Sequence, residues 1–196
     1  MQVEVIAATE NPIDVISVSA GCCYGKSDAS PKRAESCFKA GHLSVFEHVS
    51  VTLRVEGISR ACMAQLTRHR LVSFCVESQR YNKYDLSGAG WYVTPPTFAG
   101  HIPLSFTAYM ERCAEKYRHA LECGIKPEDA RYLLPEATKT NLVMSCNARE
   151  LFHILDMRLD KSAQWEIREL AAAIMAAIAA EGGQWKDIID LREARE

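Results

Sequence analysis

The spacing of apolar side chains changes along the chain, and each spacing predicts a different kind of element. Alternation of apolar and polar residues predicts strands over 2–8 and 49–56, and a further strand is predicted over 138–146. Apolar residues three or four positions apart predict helices over 12–23, 30–40, 60–69, 106–123, 127–134, 148–158, 163–181 and the tail after Gln184. Strands and helices do not alternate regularly, so the pattern favours an α+β fold over a doubly wound sheet.

Small polar residues and glycines are predicted to set the boundaries of these elements. Four residues precede apolar runs as candidate N-caps, namely Ser59, Ser105, Asn147 and Ser162. Gly57 is predicted to end the strand over 49–56. Residues 42–48 are predicted to form a polar connection, and 82–104, rich in Gly and Pro, a long surface excursion. Residues 71–81 fit a strand or a loop equally well.

Composition limits the classes of function. A chain of 196 residues with 48% hydrophobic and 24% charged residues is typical of one globular domain, here residues 1–196. The net charge of -2 disfavours sequence-independent nucleic-acid binding, which depends on a basic surplus. The longest apolar run, over 170–180, is shorter than the roughly 20 residues of a membrane helix. We therefore predict neither a nucleic-acid nor a membrane partner.

The cysteine pattern favours a reduced protein without a zinc site. The 8 cysteines include no Cys-x-x-Cys pair, and the two His and one Glu of 42–48 do not form His-Glu-x-x-His. The first residues lack a basic segment followed by an apolar one, as an export signal would have. We expect no metal and a cytoplasmic location, where thiols stay reduced.

A dense polar stretch over 65–81 contains three Arg, one His, two Ser and two Gln. Guanidinium groups form forked hydrogen bonds to phosphates and carboxylates, and Ser hydroxyls add further donors. That chemistry suits a phosphorylated ligand. A solvated basic helix end, stabilised by the helix dipole, explains the same composition about equally well.

The predicted helix after Asn147 carries arginines on two different sides. At about 100° per residue, Arg158 lies near the line of Asn147, whereas Arg149 lies on the other side, close to His153. This arrangement suits a helix that lies between two ligands or two subunits. The alternative is that Arg149 forms a surface ion pair, worth about 0–1 kcal/mol.

Several motifs, taken together, resemble the flavin-dependent thymidylate synthase family. Residues 68–81, RHRLVSFCVESQRY, look like the family signature of Arg-His-Arg, two spacers, Ser, and then Ser-x-Arg-Tyr. Five further blocks are similar to family blocks and follow in the same order: 42–48, 56–67, 130–140, 147–151 and 163–169. The resemblance spans roughly residues 20 to 180.

The resemblance implies an α+β subunit with a central, mostly antiparallel sheet flanked by helices. It also implies a homotetramer in which several chains build each active site. The implied reaction is reductive methylation of dUMP to dTMP on bound FAD, with methylenetetrahydrofolate as carbon donor and NADPH as reductant. No protein nucleophile is implied.

Site residues follow from the resemblance position by position. The residues implied to contact FAD are Ser44, Glu47, Arg68, His69, Arg70, Asn147, Arg149 and His153. Those implied to bind dUMP are Gln65, Ser78, Gln79, Arg80, Arg131 and Arg158. The two implied catalytic residues are Arg158, facing the uracil carbonyl, and His42, near the flavin ring and the folate.

Two alternatives stay open. Cys75, Val76 and Ser162 depart from residues frequent in the family, which would suit a catalytically impaired relative that binds flavin and deoxynucleotide. The second alternative is a nucleic-acid-binding module built on 68–70 and Arg80. The net charge of -2 disfavours this alternative.

Overall fold

The computed structural model describes residues 1–84, 86–88 and 90–194 and confirms the α+β class. Four strands form an antiparallel sheet in the order β1-β2-β4-β3: β1 (Gln2–Ala8), β2 (Ser50–Ser59), β3 (Ser73–Val76) and β4 (Lys139–Asn147). The α-helices are α1 (Pro12–Cys22), α2 (Pro31–Lys39), α3 (Arg60–Leu66), α4 (Pro96–His101), α5 (Pro103–Glu122), α6 (Pro127–Ala130), α7 (Ala148–Leu159), α8 (Trp165–Ala180) and α9 (Gly183–Glu193). Two 3-10 helices cover Leu43–His48 and Arg131–Leu133.

The chain divides into two compact units. The first unit comprises Met1–Val55, Thr67–Cys75 and Val143–Glu196, and the second comprises Glu56–Leu66 and Val76–Leu142. The single domain expected over 1–196 stays a prediction. Across the described ranges, no helix combines the length and the apolar content needed to cross a bilayer.

Three phenylalanines fix the first 3-10 helix in the first unit. Phe38 of α2, Phe46 of the 3-10 helix and Phe152 of α7 are buried, with ring centroids 5.7, 5.2 and 5.5 Å apart. Aromatic rings at these distances and tilts attract one another beyond their burial. The prediction of a polar connection over 42–48 was wrong, because burial of Phe46 folds this segment against the start of α7.

The second unit has its own aromatic core. Trp91, Tyr92, Met110 and Tyr117 are buried together, and α5 packs against α4, α6 and the second 3-10 helix. The prediction that all of 82–104 runs over the surface was wrong, since Trp91 and Tyr92 belong to this core and α4 lies within the segment. Within that range, Asp85 and Ala89 lie outside the described residues.

Gly57 does not end its strand. β2 continues to Ser59 because Gly57 adopts a left-handed backbone with φ 75°, which glycine tolerates, and its N–H donates to Asn141 Oδ1 at 3.0 Å. Ser59 is confirmed as a cap, since its hydroxyl accepts a hydrogen bond from the Cys62 N–H at 3.0 Å. α3 then ends at Leu66, earlier than the predicted His69.

One of the remaining predicted caps is confirmed and two are wrong. The side chain of Asn147 accepts from the Glu150 N–H at 2.8 Å and caps α7. α5 begins at Pro103, ahead of Ser105, because proline suits the first turn of a helix. Gln164, rather than Ser162, caps α8, and the Ser162 hydroxyl instead donates to the carboxylate of Asp160.

Candidate functional site

A cavity of about 550 Å³ opens beside the start of α7 in the first unit. Its volume lies within the range of about 300–1,000 Å³ that small-molecule sites occupy. Three apolar residues and six polar ones form its walls: Leu43, Leu71 and Phe152, with Glu47, Asn147, Arg149, Glu150, His153 and Asp156. Four of these, Glu47, Asn147, Arg149 and His153, are residues that the sequence predicts to contact a flavin cofactor.

The start of α7 gives this cavity a positive wall. Asn147 precedes the helix, whose dipole has its positive end at this wall, while the Ala148 and Glu150 N–H groups donate to the Val49 carbonyl and to Asn147 Oδ1. Arg149 lies in that first turn and forms an ion pair with Glu47 of the first 3-10 helix. Both side chains are about half exposed, with 52% and 45% of their surface accessible, so the pair adds little to folding stability.

His69 lies behind this wall and is 4% exposed. The Arg158 Nε–H donates to His69 Nε2 at 3.0 Å, while His69 Nδ1 lies 3.4 Å from Glu150 Oε1. Because Nε2 accepts a hydrogen bond from a guanidinium, the ring proton of neutral His69 is on Nδ1 and points at the carboxylate. The ring also meets that of His153 edge-on, with centroids 5.5 Å apart.

Burial is the largest cause that holds His69 neutral. It lowers the pKa of His69 to about 4, and the charge of Arg158 and then that of His153 act in the same direction. Burial also raises the pKa of the Glu150 carboxyl above its usual value, against an opposing effect of His153. On the interior side of the cavity wall, a neutral His69 ring therefore faces the Glu150 side chain.

His69, Glu150 and His153 offer ligand atoms that all lie within 4.8 Å of one another, a spacing that metal ligands also show. Arg158 works against metal binding here. It places a permanent positive charge beside the ring and occupies the Nε2 lone pair, so that Nδ1 keeps its proton. The geometry suits a hydrogen-bonded support for α7 better than a metal site.

Acid is expected to destabilise the chain through His69. Its pKa is lower in the folded chain, about 4, than the unfolded value of 6.5, so the unfolded chain binds more protons between these values. Stability is then lost as pH falls through that window, by about 2 kcal/mol between pH 7 and pH 5. Urea unfolding of the wild type and of His69→Gln at both pH values measures this loss.

The Gln variant keeps Glu150, whose raised pKa acts in the opposite direction, so the difference between the two proteins isolates His69. Equal losses for both proteins between pH 7 and pH 5 would show that His69 is not held neutral by the fold.

A second cavity, of about 370 Å³, opens in the second unit between α3 and the second 3-10 helix. Its walls comprise Arg60, Met63, Ala64, Gln79, Arg131, Tyr132, Leu134, Pro135 and Glu136. Gln79 and Arg131 are residues that the sequence predicts to bind a nucleotide. The cavity thus joins a guanidinium and an amide, the donors that phosphate recognition uses.

Glu128 brings two of the predicted nucleotide-binding arginines together. Arg80 Nε donates to Glu128 Oε2 at 2.7 Å, and Arg131 Nε donates to the backbone carbonyl of Glu128 at 2.9 Å. The Ser78 hydroxyl accepts from the Arg80 N–H at 3.2 Å and so shapes the same turn. In both arginines it is Nε that donates to Glu128, so these two bonds fix the orientation of each guanidinium group.

Arg60 lines this second cavity and was missed by the sequence reasoning. It donates to the Glu77 carbonyl at 2.9 Å and to the Tyr84 hydroxyl at 3.3 Å. Its Nε is buried and has no hydrogen-bond partner within the described part of the chain. The sequence offered one indication of its role. Arg60 directly follows the cap Ser59 and is therefore the first residue of α3.

The remaining predicted site residues are not on these cavity walls. The predicted residues absent from the walls of either cavity are His42, Ser44, Gln65, Arg68, His69, Arg70, Ser78, Arg80 and Arg158. Of these, Arg158 and His69 are joined to the first cavity through Glu150 and His153, and Arg80 and Ser78 adjoin Gln79. The roles of this group stay predictions.

Comparison with known proteins gives one consistent family. Residues 4–181 match the family described as thymidylate synthase complementing protein. A flavin-dependent thymidylate synthase from Halobacterium salinarum is 36% identical, over 94% of this chain and 92% of its own length. Another, from Geobacter sulfurreducens, is 35% identical over 91% of this chain and 82% of its own.

A solved structure shows the same fold with ligands. The flavin-dependent thymidylate synthase from Helicobacter pylori, complexed with FAD and dUMP, superposes with a TM-score of 0.77 at 27% identity, over 92% of this chain and 95% of the other. The match by sequence covers nearly the whole chain and agrees with the motifs at 68–81 and 147–151. This chain belongs to the flavin-dependent thymidylate synthase family.

Proposed function

We propose that this chain is a flavin-dependent thymidylate synthase that converts dUMP to dTMP on bound FAD. Methylenetetrahydrofolate is the proposed carbon donor and NADPH the proposed reductant. The observation that carries the proposal is the cavity at the start of α7, where a helix N-terminus, Arg149 and His153 meet apolar walls. The family relatives and their FAD and dUMP complex support it.

The first cavity fits FAD. A helix N-terminus with an arginine in its first turn suits the pyrophosphate, because the helix dipole and the guanidinium both favour an anion. Leu43, Leu71 and Phe152 offer apolar surface to an aromatic ring system, and Leu71 is 73% exposed and thus accessible to a ligand. We propose Ser44, Arg68 and Arg70 as further contacts to the cofactor.

The second cavity fits the phosphate and sugar of dUMP. Arg131 and Gln79 line it, and Arg80 lies on the same turn as Ser78. Two guanidiniums and a hydroxyl form the kind of charge-assisted donor set that binds a phosphate monoester. We propose Gln65 and Arg158 as the remaining contacts, with Arg158 directed at the uracil carbonyl.

The chain's own residues supply alignment and electrostatics. FAD, when bound, supplies the hydride chemistry that no amino-acid side chain can perform. Arg158 is proposed to stabilise negative charge that develops on the uracil ring, and His42 to lie beside the flavin and the folate. Burial raises the pKa of the Cys146 thiol to about 12, so that thiol is protonated at neutral pH and unsuited to attack the ring.

A homotetramer with active sites shared among chains completes the proposal, together with a cytoplasmic location. The tetramer follows from the family resemblance, and the location is supported by the free thiols of the described cysteines.

Purified protein is expected to be yellow and to release FAD on denaturation, because the first cavity retains the cofactor through its pyrophosphate. NADPH oxidation is expected to depend on bound flavin, and dTMP should form when dUMP and methylenetetrahydrofolate are both present. Absorbance spectra and chromatographic separation of the nucleotides measure both results. UMP replaces dUMP in a parallel assay, since a UMP/dUMP methylase from Streptomyces cacaoi has a TM-score of 0.83 at 26% identity, over 98% of this chain.

A colourless protein that cannot be reconstituted with FAD would contradict the proposal. Bound FAD without any dTMP would instead indicate the catalytically impaired relative, which none of the comparisons favours. A salt-sensitive shift of nucleic acid in a gel, with no FAD bound, would indicate the nucleic-acid-binding module.

A further inference from the structure

The last helix reaches the wall of the first cavity. α9 (Gly183–Glu193) follows residues 4–181, the part of the chain that the family matches, and packs against α8 and α1. Its Arg192 is 4% exposed, and the Nε–H donates to Asp156 Oδ1 at 2.9 Å. Asp156 lies on α7, lines the cavity and is 51% exposed. A helix beyond the matched region thus contributes a buried cation to the cavity's charge balance.

The charges of the cavity walls raise a difficulty for an anionic ligand. Among the lining residues, three carboxylates, Glu47, Glu150 and Asp156, accompany a single guanidinium, that of Arg149. A carboxylate on the wall of a partly enclosed cavity repels an anionic ligand held there unless a neighbouring cation or hydrogen-bond donor offsets its charge. Each carboxylate therefore needs a partner if the cavity is to hold FAD.

Every one of these carboxylates has a partner in the first unit. Glu47 pairs with Arg149, and Glu150 lies 3.4 Å from the proton-bearing Nδ1 of His69. Asp156 pairs with Arg192, whose burial fixes the guanidinium in one place. The first two partners come from segments that the family motifs cover, whereas the third comes from α9.

We infer that Arg192 is a positioning residue for the cofactor, because it compensates the charge of Asp156 and so allows the cavity to accept the anionic FAD. This inference rests on the proposed function, in which the cavity binds FAD. It assigns to α9 a role in cofactor affinity in addition to its packing against α1 and α8.

The test measures FAD affinity in the full chain, stripped of flavin, by fluorescence titration at low and high salt. Arg192→Met removes the cation but keeps a long apolar side chain in the buried position. Its dissociation constant for FAD is expected to rise about fivefold to tenfold at low salt. The rise should shrink at high salt, because ions screen the exposed carboxylate of Asp156.

A double variant that lacks both charges is the control. It distinguishes an effect of charge from a purely structural role of Arg192. Asp156→Asn keeps a hydrogen-bond acceptor for Arg192 but removes the negative charge. The double variant D156N/R192M is expected to bind FAD within about twofold of D156N, since no uncompensated carboxylate remains. Melting temperatures of all variants report any loss of packing separately.

Each outcome decides between the two claims. Tight FAD binding by the wild type with an unchanged affinity in R192M would overturn the inference and leave the proposed function standing. A double variant as weak as R192M would also overturn it, because Arg192 would then act through packing alone. A wild type that binds no FAD would overturn the proposed function and, with it, this inference.

A second measurement applies if R192M does not fold. If R192M cannot be isolated, D156N alone is titrated with FAD at low salt. Its affinity is expected to exceed that of the wild type about twofold, since a negative charge has been removed from the cavity wall while Arg192 stays in place. An unchanged or weaker affinity would overturn the inference.

Discussion

Arg158→Ala is expected to leave FAD bound and to lower the rate of dTMP formation by about 10²–10³-fold. The reason is electrostatic: a fixed donor aimed at the uracil carbonyl stabilises charge that develops during the reaction, and alanine cannot replace it. Flavin content per chain, read from absorbance, shows whether the first cavity is intact. The rate of dTMP formation, followed by chromatography under saturating dUMP, measures the loss.

Arg158→Ala is also expected to lower the folding stability, and this loss can be measured separately from the loss of rate. Alanine leaves the buried Nε2 of His69 without the donor that Arg158 supplies, which costs about 1–3 kcal/mol of folding stability. Arg168→Ala is the matched control, because Arg168 is also half-buried and donates to a backbone carbonyl, that of Lys161. Near-normal turnover in Arg158→Ala, or an equal loss in the control, would remove Arg158 from its role.

Arg131→Ala is expected to raise the KM for dUMP by about 10- to 100-fold with a smaller change in kcat. A charge-assisted hydrogen bond to a phosphate contributes about 1.5–3 kcal/mol, and the phosphate is remote from the reacting ring. The loss should therefore fall on binding. Initial rates over a range of dUMP concentrations, with FAD content checked in the same samples, separate the two parameters.

The fold should tolerate this substitution. Arg131 is exposed, and the Glu128 carbonyl to which its Nε donates is an acceptor at the surface. Arg112→Ala, at an exposed position of α5 in the same unit, provides the comparison. A KM for dUMP that stays at the wild-type value would place Arg131 outside the nucleotide site.

Sequence periodicity predicted the elements whose packing repeats regularly. Burial alternates along β4, and the apolar stripe of α5 that includes Met110 and Tyr117 has helical spacing, so local pattern and tertiary burial agree. The Leu43–His48 helix was missed because only one of its residues, Phe46, is buried, and one residue defines no period. The buried Trp91 was missed because the glycines and prolines around it resemble those of a surface loop.

The site residues also divide into those that the sequence predicted and those that it did not. Arg149, His153, Gln79 and Arg131 were predicted because sequence motifs mark them, and the structure places each on a cavity wall. Glu150, Asp156 and Arg60 have ordinary local contexts, and their importance arises from partners far along the chain. Asp156 and Arg192, for example, are 36 residues apart, and no helical or strand period relates them.

The discontinuous first unit has a consequence for how the protein is made. Trp185 Nε1 donates to the Thr9 carbonyl at 3.0 Å, and Gln184 Oε1 accepts from the Asp14 N–H at 3.1 Å, so the earliest and latest segments complete one another. On the ribosome, β1 and α1 emerge long before α8 and α9 exist. Contacts between such distant segments form slowly, because closing a long loop costs chain entropy. The newly made amino-terminal third can therefore pack α1 on α2 early, but its contacts with α9 form only when translation is nearly finished.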